Sequence, residues 1–204
     1  MKKVLILITI FSLNAFGQDI PNENLYSSLG IDFMISEGGI GLGGFFNKDF
    51  SSTLNGFIDF SFSESKDDKE FEYVDYWGQV YVVGKKNRVF VMPLNFGLKY
   101  RLFKDDIVDN FRPYVNFAFG PAMVITTPFR EDFFRAFKYA HAKYTIGGYI
   151  GLGAQFGFDR INSVGLNLRY YYVHFFDDGV ESLDGIPRKN LGGVYITFNF
   201  GFSL

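Results

Sequence analysis

Apolar residues occupy every second position along most of this chain, and this alternation limits the possible folds more than any other feature. The last stretch shows it most clearly, with Val194, Ile196, Phe198, Phe200, Phe202 and Leu204 set against Tyr195, Thr197, Asn199, Gly201 and Ser203. A period of two is that of a β-strand with one apolar face. The same pattern covers residues 25–35, 39–48, 54–63, 90–102, 113–125, 144–156 and 164–172. The sequence therefore predicts eight strands and an all-β fold.

The predicted strands are long, and their connections alternate in length. Strands of soluble domains average about 5–6 residues, whereas a tilted strand needs about 9–11 residues to cross a bilayer. The connections at residues 47–52, 104–110 and 157–160 are short, and those at 64–86, 127–143 and 176–190 are long. If the mature chain starts in the periplasm, these three short connections lie there and the three long ones lie outside. This arrangement is typical of outer-membrane barrels.

The polar face of the strands separates a membrane barrel from a soluble sandwich or a lipocalin, which show the same alternation. A sheet face in water would carry many Lys, Glu and Thr residues, but here that face is mainly Gly, Ala, Ser, Asn and Tyr. Such residues fit the lumen of an eight-stranded barrel, which is just wide enough to be filled by side chains. Phe, Leu and Ile on the other face would meet lipid. We therefore predict an eight-stranded antiparallel up-and-down transmembrane β-barrel.

The N-terminus has the three parts of an export signal. Lys2 and Lys3 precede an apolar run at residues 4–13, and small residues follow at Ala15 and Gly17. The run is too short for a transmembrane helix, which needs about 20 apolar residues. The alternative is a buried N-terminal helix. We predict a signal peptide at residues 1–17, a barrel domain at residues 18–204 and export to the outer membrane of a diderm bacterium.

Three segments carry a resemblance to a known family. Residues 198–204 (FNFGFSL) resemble the C-terminal strand by which outer-membrane proteins are recognised for assembly. Residues 92–103 (MPLNFGLKYRLF) and 111–121 (FRPYVNFAFGP) resemble paired central strands of the outer-membrane β-barrel domain family, whose small members are OmpA-, OmpX- and OmpW-like. The resemblance implies the barrel fold, an outer-membrane location, contact with outer-membrane lipid and recognition of the last strand by the barrel assembly machinery. It does not imply one activity, because members of the family differ widely.

Composition removes several classes of function. The 20 Lys and Arg residues against 22 Asp and Glu residues give no electrostatic basis for binding nucleic acid. The absence of Cys excludes disulfides, thiolate metal sites, a Cys nucleophile and a lipid-modified Cys. The acidic clusters at residues 67–70 and 105–109 lack the ligand spacing and turn glycine of a calcium loop, so we interpret both as solvated loops. No cofactor or metal is predicted.

Catalytic candidates are few. His174 is followed by Asp177, Asp178 and Ser182, which supply the residue types of a Ser/His/Asp set, and His141 lies in another long connection. Nucleophilic catalysis requires these groups within hydrogen-bond reach of one another. The favoured interpretation is a rim histidine in a polar loop.

Six charged residues fall on the inward face of the predicted strands, and we predict that they form a polar network in the lumen. Asp32, Asp59 and Arg169 fall at a similar level, and Lys99, Arg101 and Arg112 cluster nearer the periplasmic end. Because an isolated buried charge is costly, Arg169 is expected to pair with Asp32 or Asp59. The alternative is contact with lumen water.

Three functions remain. The favoured one is a non-enzymatic barrel, expected to be a monomer, that acts in envelope integrity or in surface interaction through its loops. A narrow channel for small or hydrophobic solutes is the second, and a lipid A-modifying enzyme is the third. A filled lumen would argue against conduction, and an assembled His/Ser/acid geometry at the rim is required for the enzyme.

Overall fold

The computed structural model describes residues 26–67, 69–78, 80–107, 110–157 and 162–204. The predicted signal peptide at residues 1–17 and the predicted start of the barrel domain at residue 18 lie outside the described residues, so the domain boundary stays a prediction.

The described residues form twelve strands. In chain order these are β1 (Ser27–Ser36), β2 (Gly39–Asp49), β3 (Leu54–Ser65), β4 (Glu72–Val74), β5 (Val80–Val82), β6 (Asn87–Arg101), β7 (Phe111–Pro128), β8 (His141–Gly157), β9 (Asn162–His174), β10 (Val180–Leu183), β11 (Ile186–Arg188) and β12 (Asn190–Ser203). Helix α1 (Phe133–Ala136) and a 3₁₀ turn (Phe137–Tyr139) lie between β7 and β8.

Eight of these strands close into one antiparallel barrel, in the order β1-β12-β9-β8-β7-β6-β3-β2. Each barrel strand pairs with its neighbours along the chain, and β12 pairs back with β1 from Ser28↔Ser203 to Ser36↔Tyr195. Closure leaves no unpaired sheet edge. The predicted eight-stranded up-and-down barrel is confirmed, and the four remaining strands form two small hairpins, β4–β5 and β10–β11, in the long connections.

The two ends of the barrel differ. At one end, here called the turn end, the connection between β2 and β3 takes only residues 50–53. At the other, here called the loop end, long connections carry the β4–β5 hairpin, α1 and the β10–β11 hairpin. The strands also extend further than predicted toward the loop end, because β7 runs to Pro128 and β8 starts at His141.

The alternation of the sequence becomes an inside and an outside. On β12, Ile196 and Phe198 expose 45% and 40% of their surface, whereas Tyr195 and Thr197 expose 6% and 0%. The same apolar exposure continues around the barrel on other strands, for example at Ile31, Leu98 and Ile150. A continuous apolar outer face of this size is unfavourable in water and matches the hydrocarbon of a bilayer. Among the described residues, no helix is long and apolar enough to span a membrane.

Side chains fill the loop end and the middle of the lumen in two layers. The layer at the loop end, here called the apolar plug, consists of Val89, Val91, Ala122, Val124, Val173, Phe175, Val180 and Leu191. The middle layer, here called the aromatic layer, consists of Met34, Phe57, Ala118, Tyr149, Tyr171 and Tyr195. Glycines make room for these side chains; a Cβ atom on Gly147, for example, would lie 2.7 Å from Cγ2 of Val173.

Candidate functional site

A buried ion cluster spans the lumen at the level of the aromatic layer. Arg169 on β9 places Nη2 2.9 Å from Oδ2 of Asp32 on β1, and Nη1 3.7 Å from Oδ2 of Asp59 on β3. The three side chains expose at most 5% of their surface. The structure thus brings Arg169 together with both acidic residues considered from the sequence, and the cluster joins strands from opposite sides of the barrel.

Neutral donors complete the coordination of both carboxylates. Asp59 accepts hydrogen bonds from Tyr149 Oη at 2.5 Å and from Asn95 Nδ2 at 2.7 Å. Asp32 accepts one from Asn199 Nδ2 at 2.5 Å. The guanidinium of Arg169 also lies 4.9 Å from the centre of the Tyr149 ring. Several hydrogen bonds are what a buried charge needs to offset its loss of hydration.

Sequence reasoning missed the two asparagines of this network. Each is the direct cross-strand partner of its aspartate, because Asp32 pairs with Asn199 between β1 and β12, and Asp59 pairs with Asn95 between β3 and β6. Asn on an inward position was visible in the sequence. Its pairing with an aspartate depends on strand register. The alternation shows which face of the strand a residue lies on, but it does not show which residue of the next strand lies opposite.

The other three predicted charges form a separate group at the turn end. Lys99 lies over the ring of Tyr114 at 4.7 Å, and Arg101 donates from Nη2 to the carbonyl of Ile107 at 3.1 Å. Arg112 is exposed. Lys99, Arg101 and Arg112 line one cavity of about 360 Å³, here called the vestibule, with Tyr114 and Gln155. Lys99 and Tyr114 also line the small space beside the ion cluster, so they separate the vestibule from the network.

The catalytic candidates are not brought together. His174 Nδ1 lies 2.7 Å from Oδ1 of Asn190, and its ring stacks on Tyr172. Ser182 donates from Oγ to Glu70 at 2.5 Å, and Asp177 pairs with Lys143. His174, Ser182 and Asp177 therefore have separate partners. His141 is exposed at the start of β8. Among the described residues, no group of three or more His, Asp or Glu side chains could hold a metal ion.

A second buried ion cluster, here called the loop clamp, joins two long connections at the loop end. The Glu70 carboxylate accepts hydrogen bonds from Lys85 Nζ, from Ser182 Oγ and from the Asp67 N–H at 3.0 Å. Burial acts to raise the pKa of Glu70, but these hydrogen bonds outweigh it and hold the pKa below its ordinary range. Arg188 Nε lies 3.5 Å from Oδ2 of Asp67.

The loop clamp corrects one interpretation of the sequence. Asp67 and Glu70 belong to a cluster expected to be a solvated loop, but Asp67 is 7% exposed and the Glu70 side chain is 4% exposed. Their cationic partners lie 15 and 121 residues away, so adjacent residues gave no sign of them. Two other members of the acidic clusters, Asp68 and Asp109, lie outside the described residues.

The loop clamp supports a hairpin with an aromatic tip. The turn between β4 and β5 exposes 96% of Tyr76 and 82% of Trp77, and the two rings contact each other edge to face at 6.0 Å. By contrast, the rings of Phe133 in α1 and Phe137 in the 3₁₀ turn contact Phe90. Phe90 lies between the lumen residues Val89 and Val91 and so faces outward, which places these rings against the outer wall of the barrel. The loop end therefore combines a helix packed on the barrel wall with a projecting hairpin.

Comparison with solved structures shows which known proteins share this fold. No protein-family model matches the sequence, and no curated protein matches it. Among solved structures, Neisserial surface protein A is similar with a TM-score of 0.50 at 9% identity, over 88% of this chain and 94% of that one. The N-terminal barrel domain of Pseudomonas aeruginosa OprF has a TM-score of 0.48 at 13% identity, over 88% and 97%. This chain has the fold of a small outer-membrane β-barrel. At such identity the likeness shows the fold alone.

The outer-membrane barrel fold predicts which side of the membrane the turn end and the loop end face. Short turns of such barrels face the periplasm and long loops face outside. On this rule we expect the vestibule to open to the periplasm, and we expect the loop clamp and the hairpin tip with Tyr76 and Trp77 to lie outside the cell. The apolar outer face agrees with an outer-membrane location.

Proposed function

We propose that this outer-membrane barrel is a non-enzymatic, non-conducting protein that acts through its external loop surface. The observation that carries the proposal is the exposed tip at Tyr76 and Trp77, held on a hairpin whose base is fixed by the buried contacts of Glu70. Tyr and Trp supply large contact areas with little loss of side-chain entropy, which suits them to binding surfaces. A fixed base reduces the ordering that a partner would have to impose.

The closed lumen supports the non-conducting part of the proposal. The apolar plug lies between the ion cluster and the outside, and the Arg169 cluster crosses the lumen below it. Eight-stranded barrels have interiors that side chains can fill. An ion entering the vestibule would have to pass both layers to leave the cell.

The non-enzymatic part of the proposal rests on the separate partners of His174 and Ser182. His174 contacts Asn190 and Ser182 contacts Glu70, so neither is arranged to activate the other. We further propose that β12 is the strand recognised by the assembly machinery and that the protein is a monomer in outer-membrane lipid.

Cell attachment tests the surface role. Cells that display the wild type should bind to surfaces coated with gelatin or mucin more strongly than cells that lack the protein, and Tyr76→Ser with Trp77→Ser should remove the gain. Phe103→Ser is the matched control, because Phe103 is also an exposed aromatic residue (61%) but lies in the turn between β6 and β7. Equal attachment by the double variant and the wild type would overturn the surface role.

Separate measurements distinguish the other functions. The envelope role would be favoured if cells without the protein lose resistance to sodium dodecyl sulfate. The wild type and the double variant should then restore this resistance equally. Large, steady conductance of the wild type in a planar bilayer would favour the channel. Release of acyl chains from lipid A by the purified protein would favour the enzyme.

A further inference from the structure

The vestibule at the turn end has an unusual balance of charge. Among the described residues, its wall includes the cationic side chains of Lys99, Arg101, Lys104 and Arg112 and the carboxylate of Asp49, and Lys104 contacts the Ser52 hydroxyl. Asp49 is already engaged, because it accepts hydrogen bonds from Asn55 Nδ2 at 2.6 Å and from the Tyr26 N–H at 3.4 Å. Both of these donors to Asp49 are neutral groups.

Two of the cations have donor groups to spare. Arg101 uses Nη2 on the Ile107 carbonyl, while its Nε is buried and has no hydrogen-bond partner. Arg112 is exposed and contacts no carboxylate within the described ranges. Both residues lie at the adjoining ends of β6 and β7, which pair as Arg101↔Tyr114. Two guanidinium groups thus face the same space from neighbouring strands.

The surroundings of these arginines favour an oxyanion. Lys99 closes the inner end of the vestibule over the ring of Tyr114 and adds a third cation to the space that the two arginines face. The cavity of about 360 Å³ is large enough for a phosphorylated small molecule. Planar guanidinium donors match the oxygens of phosphate in paired hydrogen bonds.

We propose that the vestibule binds a phosphate group from the periplasmic side, with Arg101 and Arg112 as the main ligands. The group is carried by a phosphorylated solute or by the headgroup of an anionic lipid, which present the same chemistry. This site is at the opposite end of the barrel from the surface loops and does not depend on the proposed function.

Nuclear magnetic resonance of the arginine side chains tests the site directly. The wild-type barrel in phosphatidylcholine nanodiscs is titrated with inorganic pyrophosphate at low salt, and the Nε–H signals of Arg101 and Arg112 should shift in a saturable way. Arg112→Gln should weaken binding about tenfold, because one charge-assisted contact is lost. This variant is expected to fold, since Arg112 is exposed and has no ion pair in the described residues.

The matched control is Arg135→Gln, which removes the same charge at the loop end. Arg135 is exposed there, and its Nε lies 3.9 Å from Oδ2 of Asp132, a long distance for an ion pair. Pyrophosphate affinity in this variant should equal that of the wild type. Nanodiscs that contain phosphatidylglycerol distinguish the two sources: if the lipid alone shifts the Arg101 and Arg112 signals and competes with pyrophosphate, the headgroup is the ligand. Absence of saturable shifts in both kinds of nanodisc, or equal affinity in Arg112→Gln and the wild type, would overturn the proposal.

Discussion

Arg169 and Asp32 form a buried ion pair between two strands that share no backbone hydrogen bonds. Their side chains lie 2.9 Å apart on β9 and β1, and β12 lies between these strands in the barrel. The barrel closes where β12 pairs with β1. The ion pair therefore connects β1 to β9, the strand on the other side of β12. Stability of the closed barrel should depend on it.

Replacing Arg169 by Ala should lower the free energy of unfolding by about 3–5 kcal/mol, because it leaves the buried carboxylates of Asp32 and Asp59 without their cation. Urea unfolding in lipid vesicles measures the change. Lys143→Ala is the control, since it breaks an exposed pair with Asp177 at the loop end and should leave stability nearly unchanged. Equal stability of Arg169→Ala and the wild type would show that water, rather than pairing, satisfies these charges.

Arginine at Ile196 should impair folding far more than arginine at Ile40. Ile196 is near the centre of β12 on the lipid face, whereas Ile40 is the second residue of β2 at the loop end and is 78% exposed. Arg costs about 2–4 kcal/mol at the midplane of a bilayer and about 0–1 kcal/mol near its surface. Heat-modifiable gel mobility and urea unfolding report the folded fraction. Equal tolerance at both positions would contradict the assignment of the outer face to lipid.

Single cysteines test the orientation, because the natural chain contains none. Tyr76→Cys, at the tip of the β4–β5 hairpin, should react with a membrane-impermeant maleimide on intact cells. Asp106→Cys, in the turn between β6 and β7, should react only after the outer membrane is opened. Labelling of Asp106→Cys on intact cells would invert the topology and place the vestibule outside.

The loop clamp should open at low pH. The pKa of Glu70 is held below its ordinary range in the folded protein, so its ionised form stabilises the loops above the pKa of the unfolded chain. This contribution disappears as the pH falls below about 4 and through the folded pKa. Amide hydrogen exchange of β4 and β5, corrected for intrinsic rates, should lose protection over this range.

A pair of variants assigns that loss to Glu70. Glu70→Gln should show weak protection at every pH, because it leaves Lys85 buried without its carboxylate. Asp132→Asn, which changes a carboxylate that is 81% exposed, should keep the wild-type pH dependence. Protection of the wild type that does not change down to pH 2 would contradict a clamp based on ionised Glu70.

The alternation of residues determined the two faces of each strand from the sequence alone, and the small residues on the polar face predicted the closed barrel. A period of two places Ile196 and Thr197 on opposite sides of any strand, and the outward Phe and Leu residues can be accommodated only by lipid in a closed sheet. The same reasoning placed Asp32, Asp59 and Arg169 inside the barrel. Because an unpaired charge is costly to bury, it also predicted that Arg169 pairs with one of the two aspartates. These inferences are local, because they require only the face on which a residue lies.

Contacts that depend on register or on loop packing required the tertiary structure. Asn95 and Asn199 meet their aspartates because of the exact alignment of strand pairs, and a shift of two residues would preserve the alternation but separate them. Glu70 and Ser182 are 112 residues apart, and their contact exists because two external loops fold over the same barrel mouth. This loop packing pairs Ser182 with Glu70, whereas the register of β9 and β12 places His174 opposite Asn190. Residue types that suggested a catalytic set therefore have separate partners.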